Sequence, residues 1–184
     1  MKAVVTLTKN FFNQHPTLAG KPTNFATLVT EGSKIHTCRS NYDYWKAKIK
    51  ALKEADGTLC LREWTGKPYR SPQGRIMEIP AAVVGIEKLT LKKGKHRVEP
   101  YRHFVEYCRA TVGQTQVDVA ELARNDGFTN KDDYLGFFEP LFKESPDNSI
   151  EMAIIHFTAF RYGKDGEDED ADQREREAEN RALL

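Results

Sequence analysis

The apolar segments of this chain are short, and this limits its possible folds more than any other feature. Apolar runs such as 4–5 and 81–84 fall far below the roughly 20 residues that a membrane-spanning helix needs. Residues 58–64 and 152–162 alternate between apolar and polar, which is typical of half-buried strands. Helical patterns lie between the strand-like segments, and Gly and Pro separate them. We predict an α+β fold with a mostly antiparallel sheet that can close into a barrel.

The residue patterns predict where the individual elements lie. Strands are predicted at 2–8, 58–64, 76–91 (two strands divided near Pro80) and 152–162, with a basic turn at 92–97. Residues 103–112 could form a helix or a strand, and their aromatic and β-branched residues favour a strand. Helices are predicted from 25 up to Gly32, from a capping box at Ser40 to Gly57, from Asp118 to Gly127, and from 129 to Pro140.

The charge of the chain is divided between two parts. Residues 163–184 contain four basic and nine acidic side chains and carry a charge of −5. Residues 1–162 contain 24 basic and 18 acidic side chains and carry +6. The acidic segment has too few hydrophobic residues to form a core, so we predict that it is disordered or a solvated helix. We predict one folded domain at 1–162, followed by this charged tail at 163–184.

The cysteines and the first residues bear on the compartment. Cys38, Cys60 and Cys108 are odd in number and include no CxxC pair, which argues against a disulfide framework and a cysteine-type zinc site. The first nine residues become polar too soon for a secretory apolar region. We expect a cytoplasmic protein without membrane association.

Four short motifs follow one another along the chain. They are Gly32-Ser33-Lys34-Ile35-His36-Thr37-Cys38-Arg39, Lys67-Pro68-Tyr69-Arg70-Ser71, Asn125-Asp126-Gly127-Phe128, and the segment 155–162. Together they resemble the ASCH (activating-signal-cointegrator homology) family, over roughly residues 2–162. The G-x-K-x-x-T-x-R signature of that family is matched here by Gly32, Lys34, Thr37 and Arg39.

The resemblance implies a PUA-like β-barrel with flanking helices and a cleft beside the signature. Members of the family are expected to bind RNA or nucleotide derivatives, one branch hydrolyses the N4-acyl group of acetylated cytidine, and a ribonuclease role is attributed to another. In the hydrolase branch the lysine and threonine of the signature are catalytic, together with a glutamate at the end of a later helix. The matching positions are Lys34, Thr37 and Asp126, where aspartate replaces the glutamate.

Strand geometry constrains how the signature residues can meet. In an ideal strand Thr37 and Arg39 share one face and Lys34 points to the other, so a common cleft needs a bend, which Gly32 permits. A lysine in a partly dry cleft loses proton affinity and could deprotonate Thr37, and Asp126 could then protonate a leaving amine. The alternative roles are a phosphate contact for Lys34, plain strand formation for Thr37 and a strand-to-helix clamp for Arg39.

The second motif places an aromatic ring between two cations on a loop. Tyr69 could stack on a base while Lys67 and Arg70 contact phosphate. The alternative is that the loop is an anchor, with Tyr69 buried on the barrel rim and Arg70 paired with an acid. Downstream, the cations Lys88, Lys92, Lys93, Lys95 and Arg97 suit either nonspecific backbone contact or a solvated hairpin.

These patterns predict a ligand cleft formed by 32–41, 67–71 and 125–128. The predicted ligand contacts are Gly32, Arg39, Asn41, Lys67, Tyr69 and Arg70. His36 and His156 make no HxH or HExxH spacing, so neither a metal nor another cofactor is predicted. The expected function is binding of RNA or a modified nucleoside, and the alternative is an amidohydrolase acting on an acylated cytidine. A partner-binding accessory role has no motif to support it.

Overall fold

The computed structural model describes residues 1–98 and 103–163. This part of the chain forms an α+β fold with eight strands, mostly antiparallel, and five helices. The strands are β1 (Lys2–Leu7), β2 (His36–Ser40), β3 (Thr58–Trp64), β4 (Gln73–Pro80), β5 (Gly85–Val98), β6 (His103–Val112), β7 (Thr115–Val117) and β8 (Ser149–His156). The helices are α1 (Phe25–Thr30), α2 (Tyr42–Glu54), α3 (Val119–Asn125), α4 (Lys131–Phe137) and α5 (Glu139–Glu144).

The described strands form two sheets. One has the order β1-β3-β4, with β1 and β3 parallel, and the other has the order β2-β8-β5-β6-β7, with every pair antiparallel. These strands therefore do not form the single closed barrel that we predicted. Arg39 of β2 connects the two sheets, because its Nη2 donates a hydrogen bond of 2.8 Å to the carbonyl oxygen of Thr6 in β1.

The small sheet and the centre of the large sheet contribute most of the buried strand residues. The buried side chains of the small sheet include Val5, Leu7, Leu59 and Leu61. In the large sheet, the last five residues of β8 are all buried. That run has neighbours on both edges, β2 and β5, so it lies at the centre of the core. Helix α2 covers the sheets through one apolar stripe that includes Ile49 and Leu52, as its i, i+3 spacing predicts.

Two strand predictions were wrong in their bounds. The predicted basic turn at 92–97 is part of β5, which pairs with β6 as far as Val98 although β8 stops accompanying it at Lys92. A ribbon of two strands is solvated on both faces and therefore accepts charged residues. The final strand ends at His156 and does not reach 162, because Glu87 accepts hydrogen bonds from the backbone N–H groups of Tyr162 (3.0 Å) and Gly163 (2.8 Å).

Two helix predictions were also wrong in detail. Pro140 does not end a helix but lies in the first turn of α5. The N–H groups of a first turn make no bond within the helix, so proline, which lacks this group, fits there. Helix α2 is capped by Asn41 and not by Ser40. No helix in residues 1–98 and 103–163 combines the length and apolarity needed to cross a bilayer. The predicted disorder of the tail concerns residues that, from 164 onward, lie outside the described part.

Candidate functional site

The signature motif begins at a turn that directs Lys34 into the protein. Gly32 has φ +78°, a left-handed conformation that glycine adopts readily. The backbone N–H groups of Ser33 and Lys34 both donate to the carbonyl of Leu28, each at 3.0 Å, so the turn closes onto the end of α1. The bend expected at this glycine is present, and it leaves Lys34 only 1% exposed.

The ammonium group of Lys34 meets the carboxylate of Asp126. Its Nζ contacts Oδ1 of Asp126, lies 2.5 Å from the carbonyl oxygen of the same residue, and is 4.3 Å from the ring centroid of Phe25. The exposed fractions of the two side chains are 0% for Lys34 and 3% for Asp126. This is a buried ion pair, closed to solvent on all sides.

The chain around Asp126 lies directly across the Lys34 side chain. Asp126 caps the C-terminus of α3, and the Ile35 N–H donates to the Asn125 carbonyl at 2.9 Å. Gly127 has φ +84°, and a Cβ atom there would lie 3.2 Å from Cδ of Lys34. A side chain at 127 would therefore be both strained and crowded, which explains glycine after the acid.

Two opposing effects set the protonation of Lys34. Burial lowers its pKa from the ordinary 10.5, and the Asp126 carboxylate acts to raise it again. The lowering dominates, so this lysine releases its proton more readily than an exposed one. The arrangement therefore places a lysine of lowered proton affinity against a carboxylate in a site without bulk water.

Thr37 is not among the hydrogen-bond partners of this pair. Its Oγ1 accepts a bond of 2.8 Å from Nη1 of Arg39, which also donates to the Cys38 carbonyl at 2.8 Å. Thr37 and Arg39 share the face of β2 that looks toward β1, as strand alternation requires. The structure thus brings two of the three predicted catalytic residues together, and Arg39 is a clamp between two strands.

Asn41 has a structural role. It is the N-cap of α2, and its Oδ1 accepts a bond of 3.1 Å from the Tyr44 N–H. Its φ of 63° is one that Asn tolerates better than most residues, and an Asn cap satisfies a backbone donor at the helix start.

Asp126 also belongs to a buried cluster of three residues of metal-ligand type, which the sequence analysis did not predict. Ligand-type atoms of His36, Cys38 and Asp126 all lie within 4.8 Å of one another, and all three residues are buried. The signal in the sequence was the i, i+2 spacing of His36 and Cys38, which puts them on one strand face. Asp126 comes from 88 residues later, so no local motif could include it.

Most groups of this cluster are already bonded. Asp126 Oδ2 accepts from the Cys38 N–H at 3.3 Å, and the Cys38 Sγ lies 3.4 Å from the Tyr134 hydroxyl. Nε2 of His36 lies 2.8 Å from the Tyr162 hydroxyl, and burial with the nearby His156 and Lys34 holds the pKa of His36 well below 6.5. A metal ion would have to displace the Lys34 ammonium from Asp126.

The second motif lies at the tip of the β3–β4 hairpin. Tyr69 is 90% exposed, adopts φ 61°, and its ring centroid lies 5.3 Å from that of Trp64. Within the described residues, the exposed side chains of Lys67 and Arg70 have no hydrogen-bond or ion-pair partner. The anchoring alternative was therefore wrong, since Tyr69 is not buried and Arg70 pairs with no acid in residues 1–98 and 103–163.

The single predicted cleft is divided in space. Residues 32–41 and 125–128 are in direct contact through Lys34, Ile35 and Cys38. In contrast, no hydrogen bond or ion pair in the described part of the chain joins 67–71 to either segment. The tip is held by its own contacts, chiefly Ser71, whose Oγ donates to the Lys67 carbonyl and accepts from the Gly66 N–H, both at 2.9 Å.

Comparison with protein-family models, curated proteins and solved structures found no match for this chain. The ASCH resemblance therefore rests on the four sequence motifs alone.

Proposed function

We propose that this protein binds single-stranded RNA, or a modified nucleoside, at the tip of the β3–β4 hairpin. The observation that carries the proposal is the exposed ring of Tyr69 between two cations that have no hydrogen-bond or ion-pair partner among the described residues. Aromatic rings on which bases stack, flanked by cations that meet phosphate, are the usual means of holding an unpaired strand.

The backbone conformation of Tyr69 supports a binding role for the tip. A left-handed backbone is uncommon for a bulky residue, and the exposed ring buries too little surface to offset this strain. Trp64 supports the ring from one side at an interplanar angle of 51°, which leaves the rest of Tyr69 available for stacking. A purely structural loop has no need for this arrangement.

Charge and family likeness support the same proposal. Residues 1–162 carry +6, which favours association with a polyanion. The ASCH likeness, including a PUA-like fold, belongs to the proposal, because RNA and nucleotide derivatives are the expected ligands of that family.

The test is fluorescence anisotropy with labelled single-stranded RNA at low and high salt. Lys67→Glu/Arg70→Glu should weaken binding at low salt by about tenfold or more, because two phosphate contacts are reversed in sign. Tyr69→Ala should weaken binding about fivefold or more at both salt concentrations, because stacking does not depend on salt as charge does.

The matched control is Lys131→Glu/Lys143→Glu, which makes the same change in net charge at two exposed positions far along the chain. Equal affinities for this control and for the hairpin variant would remove the hairpin from the binding surface.

The contact between Lys34 and Asp126 favours amidohydrolysis as a second candidate. That reaction needs the pair first to shift a proton from Lys34 to Asp126. Lys34 then takes the hydroxyl proton of Thr37, whose oxygen attacks the acyl carbon, and Asp126 protonates the amine as the C–N bond breaks. Water finally hydrolyses the Thr37 ester, which releases the free acid and restores the Thr37 hydroxyl. Catalysis then requires Thr37 to leave Arg39 and the closed ion pair to open to the substrate.

A panel of N4-acylated cytidines tests this candidate, with release of the free acid as the measurement. Thr37→Ala and Lys34→Arg should abolish turnover, since Arg cannot lose its proton at working pH. Far-ultraviolet circular dichroism establishes that each variant is folded. If neither the wild type nor Asp126→Glu, which restores the longer acid, releases any acid, the amidohydrolase candidate fails.

A further inference from the structure

The segment that follows β8, residues 158–163, has neither helix nor strand structure. We call this segment the strap. It begins after Phe157, which is buried and whose N–H donates to the Ile35 carbonyl at 2.8 Å. Beyond that bond, no backbone-to-backbone hydrogen bond within residues 1–98 and 103–163 holds the strap. The strap is therefore attached through side chains, and none of the functions discussed above uses it.

Glu87 of β5 holds the far end of the strap. Its carboxylate accepts hydrogen bonds from the N–H groups of Tyr162, at 3.0 Å, and Gly163, at 2.8 Å. One of its oxygens also lies 2.6 Å from Nε2 of His156. The Glu87 side chain is only 13% exposed, so these contacts replace the water that a free carboxylate binds.

The hydroxyl of Tyr162 attaches the strap to the buried cluster. It lies 2.8 Å from Nε2 of His36 in β2 and accepts a bond of 2.8 Å from the amide of Asn125. Asn125 directly precedes Asp126, and a ring nitrogen of His36 lies within 4.8 Å of the Asp126 carboxylate. Tyr162 thus closes one side of the cluster that contains the ion pair with Lys34.

Arg161 joins the parts of the strap to one another. Its Nη1 donates to the carbonyl oxygens of Thr158, at 2.7 Å, and Phe160, at 2.6 Å, which both belong to the strap. Its Nη2 also reaches the Val83 carbonyl, at 3.3 Å, in a longer bond at the surface. Because most of these bonds are internal, the strap can move without losing them.

The closed strap leaves two buried polar atoms without partners. Nδ1 of His36 and Nδ1 of His156 are buried and have no hydrogen-bond partner among the described residues. Such an atom costs free energy, because in water it would be hydrogen-bonded. The centroids of the two rings lie 5.6 Å apart, so water that enters at one ring can reach the other. The cost narrows the free-energy difference between a closed and an open strap.

The strap itself buries little surface. None of its six residues is fully buried, and Phe160 is 36% exposed. In contrast, His36 and His156 are 0% exposed. Segments with few buried contacts and no backbone ladder are the ones that open locally while the rest of a protein stays folded.

We propose that the strap opens as a unit at Phe157 and admits water and small polar molecules to His36, Cys38 and the ion pair of Lys34. Glu87 and the Tyr162 hydroxyl are the two latches that keep it closed. Opening would give a substrate the access to the ion pair that the amidohydrolase candidate needs. The proposal itself depends neither on catalysis there nor on RNA binding at the hairpin.

Labelling of the full chain with diethylpyrocarbonate tests the proposal, because this small reagent modifies an imidazole only where it reaches the ring. Peptide mass spectrometry then gives the rate at His36. His15 is the internal reference, since it is 4% exposed and lies in the N-terminal loop, 2.9 Å from the Asp133 carbonyl oxygen. The ratio of the two rates separates strap opening from unfolding of the whole chain.

Two variants release one latch each. Tyr162→Phe keeps the ring and removes both hydroxyl bonds, so the ratio of the His36 rate to the His15 rate should rise about tenfold or more. Glu87→Gln keeps the shape and removes the charge that strengthens the bonds to the strap, and the ratio should rise about fivefold or more. The matched controls are Tyr44→Phe and Glu151→Gln, which should leave the ratio as in the wild type, because both residues contact exposed lysines.

Cys38 gives a second measurement, at the Asp126 side of the cluster. Cys38 and Cys60 are both buried, and Cys60 lies in β3 of the small sheet. Both latch variants should speed the modification of Cys38 by the small disulfide dithiodipyridine and leave Cys60 as slow as in the wild type.

Three results would overturn the proposal. They are rates at His36 or Cys38 that stay at the wild-type values in both latch variants, an equal rise at His15 and Cys60, and an equal rise in the control variants. Both latch variants should bind RNA as the wild type does, so a failure at the strap is distinguishable from a failure of RNA binding at the hairpin.

Discussion

Lys34 and Lys67 are the same residue type in two opposite environments. Lys34 is closed inside the protein on Asp126, and Lys67 stands on an exposed hairpin tip without a partner in the described chain. A buried charge requires a nearby opposite charge, because removal from water costs several kcal/mol per ion. An exposed lysine needs no partner and remains available to a ligand. The comparison teaches that a lysine in a motif identifies neither chemistry nor binding until its solvent exposure is known.

The largest expected effect is the removal of the buried cation. Lys34→Met should lower the free energy of unfolding by about 3–5 kcal/mol, because it leaves the Asp126 carboxylate buried and unpaired. Urea denaturation followed by circular dichroism measures the loss. The double variant Lys34→Met/Asp126→Asn should recover much of it, and a loss in the double variant equal to the sum of the single losses would show that the pair is not coupled.

A smaller loss of stability is expected at the cap of α2. Asn41→Ala should lower the free energy of unfolding by about 1–2 kcal/mol, because it removes the bond to the Tyr44 N–H and puts alanine in a left-handed conformation. Asn41→Gly suits the backbone and should lose less. RNA affinity should be unchanged in both variants, and a clear loss of affinity would restore Asn41 to the ligand contacts predicted from the sequence.

The pH dependence of stability tests the environment of the buried cluster. The pKa of His36 is held well below 6.5 in the folded protein, so below pH 6.5 the unfolded chain binds the proton more readily. Stability should therefore be greatest above pH 6.5 and should fall as the pH is lowered, by up to about 1.4 kcal/mol per pH unit for each such histidine.

Urea midpoints between pH 5 and pH 8 measure this slope. His36→Gln should flatten it, while the same change at the exposed His96 should leave it as it is in the wild type. A slope that is unaffected by His36→Gln would place the titrating group elsewhere.

The smallest expected effect is at the hairpin tip. Lys67→Glu/Arg70→Glu should change the free energy of unfolding by less than about 0.5 kcal/mol, because neither side chain has a hydrogen bond or ion pair with the described residues to lose. A larger loss, measured by the same urea denaturation, would mean that the tip is structural and would weaken the contrast with Lys34.

Local patterns alone determined much of the element plan. Alternation predicts the bounds of β3, and β-branched and aromatic residues predict those of β6. The ends of α3 follow from Asp118 and Gly127, because these signals act within a few residues. The end of β8 and the role of Pro140 could not be derived in this way. The end of β8 depends on Glu87, about 75 residues away. The role of Pro140 depends on α5, which starts after a single residue has followed the end of α4.

The sequence by itself also determined that Lys34 and Asp126 are candidates for one site, because both lie in motifs that together resemble the ASCH family. Only the tertiary structure decided that they meet as a closed ion pair, that Thr37 faces Arg39, and that Tyr69 stands in solvent. Burial and pairing arise where distant segments pack against each other. A residue type specifies which interactions are possible, and the packing of segments far apart in the chain selects the ones that form.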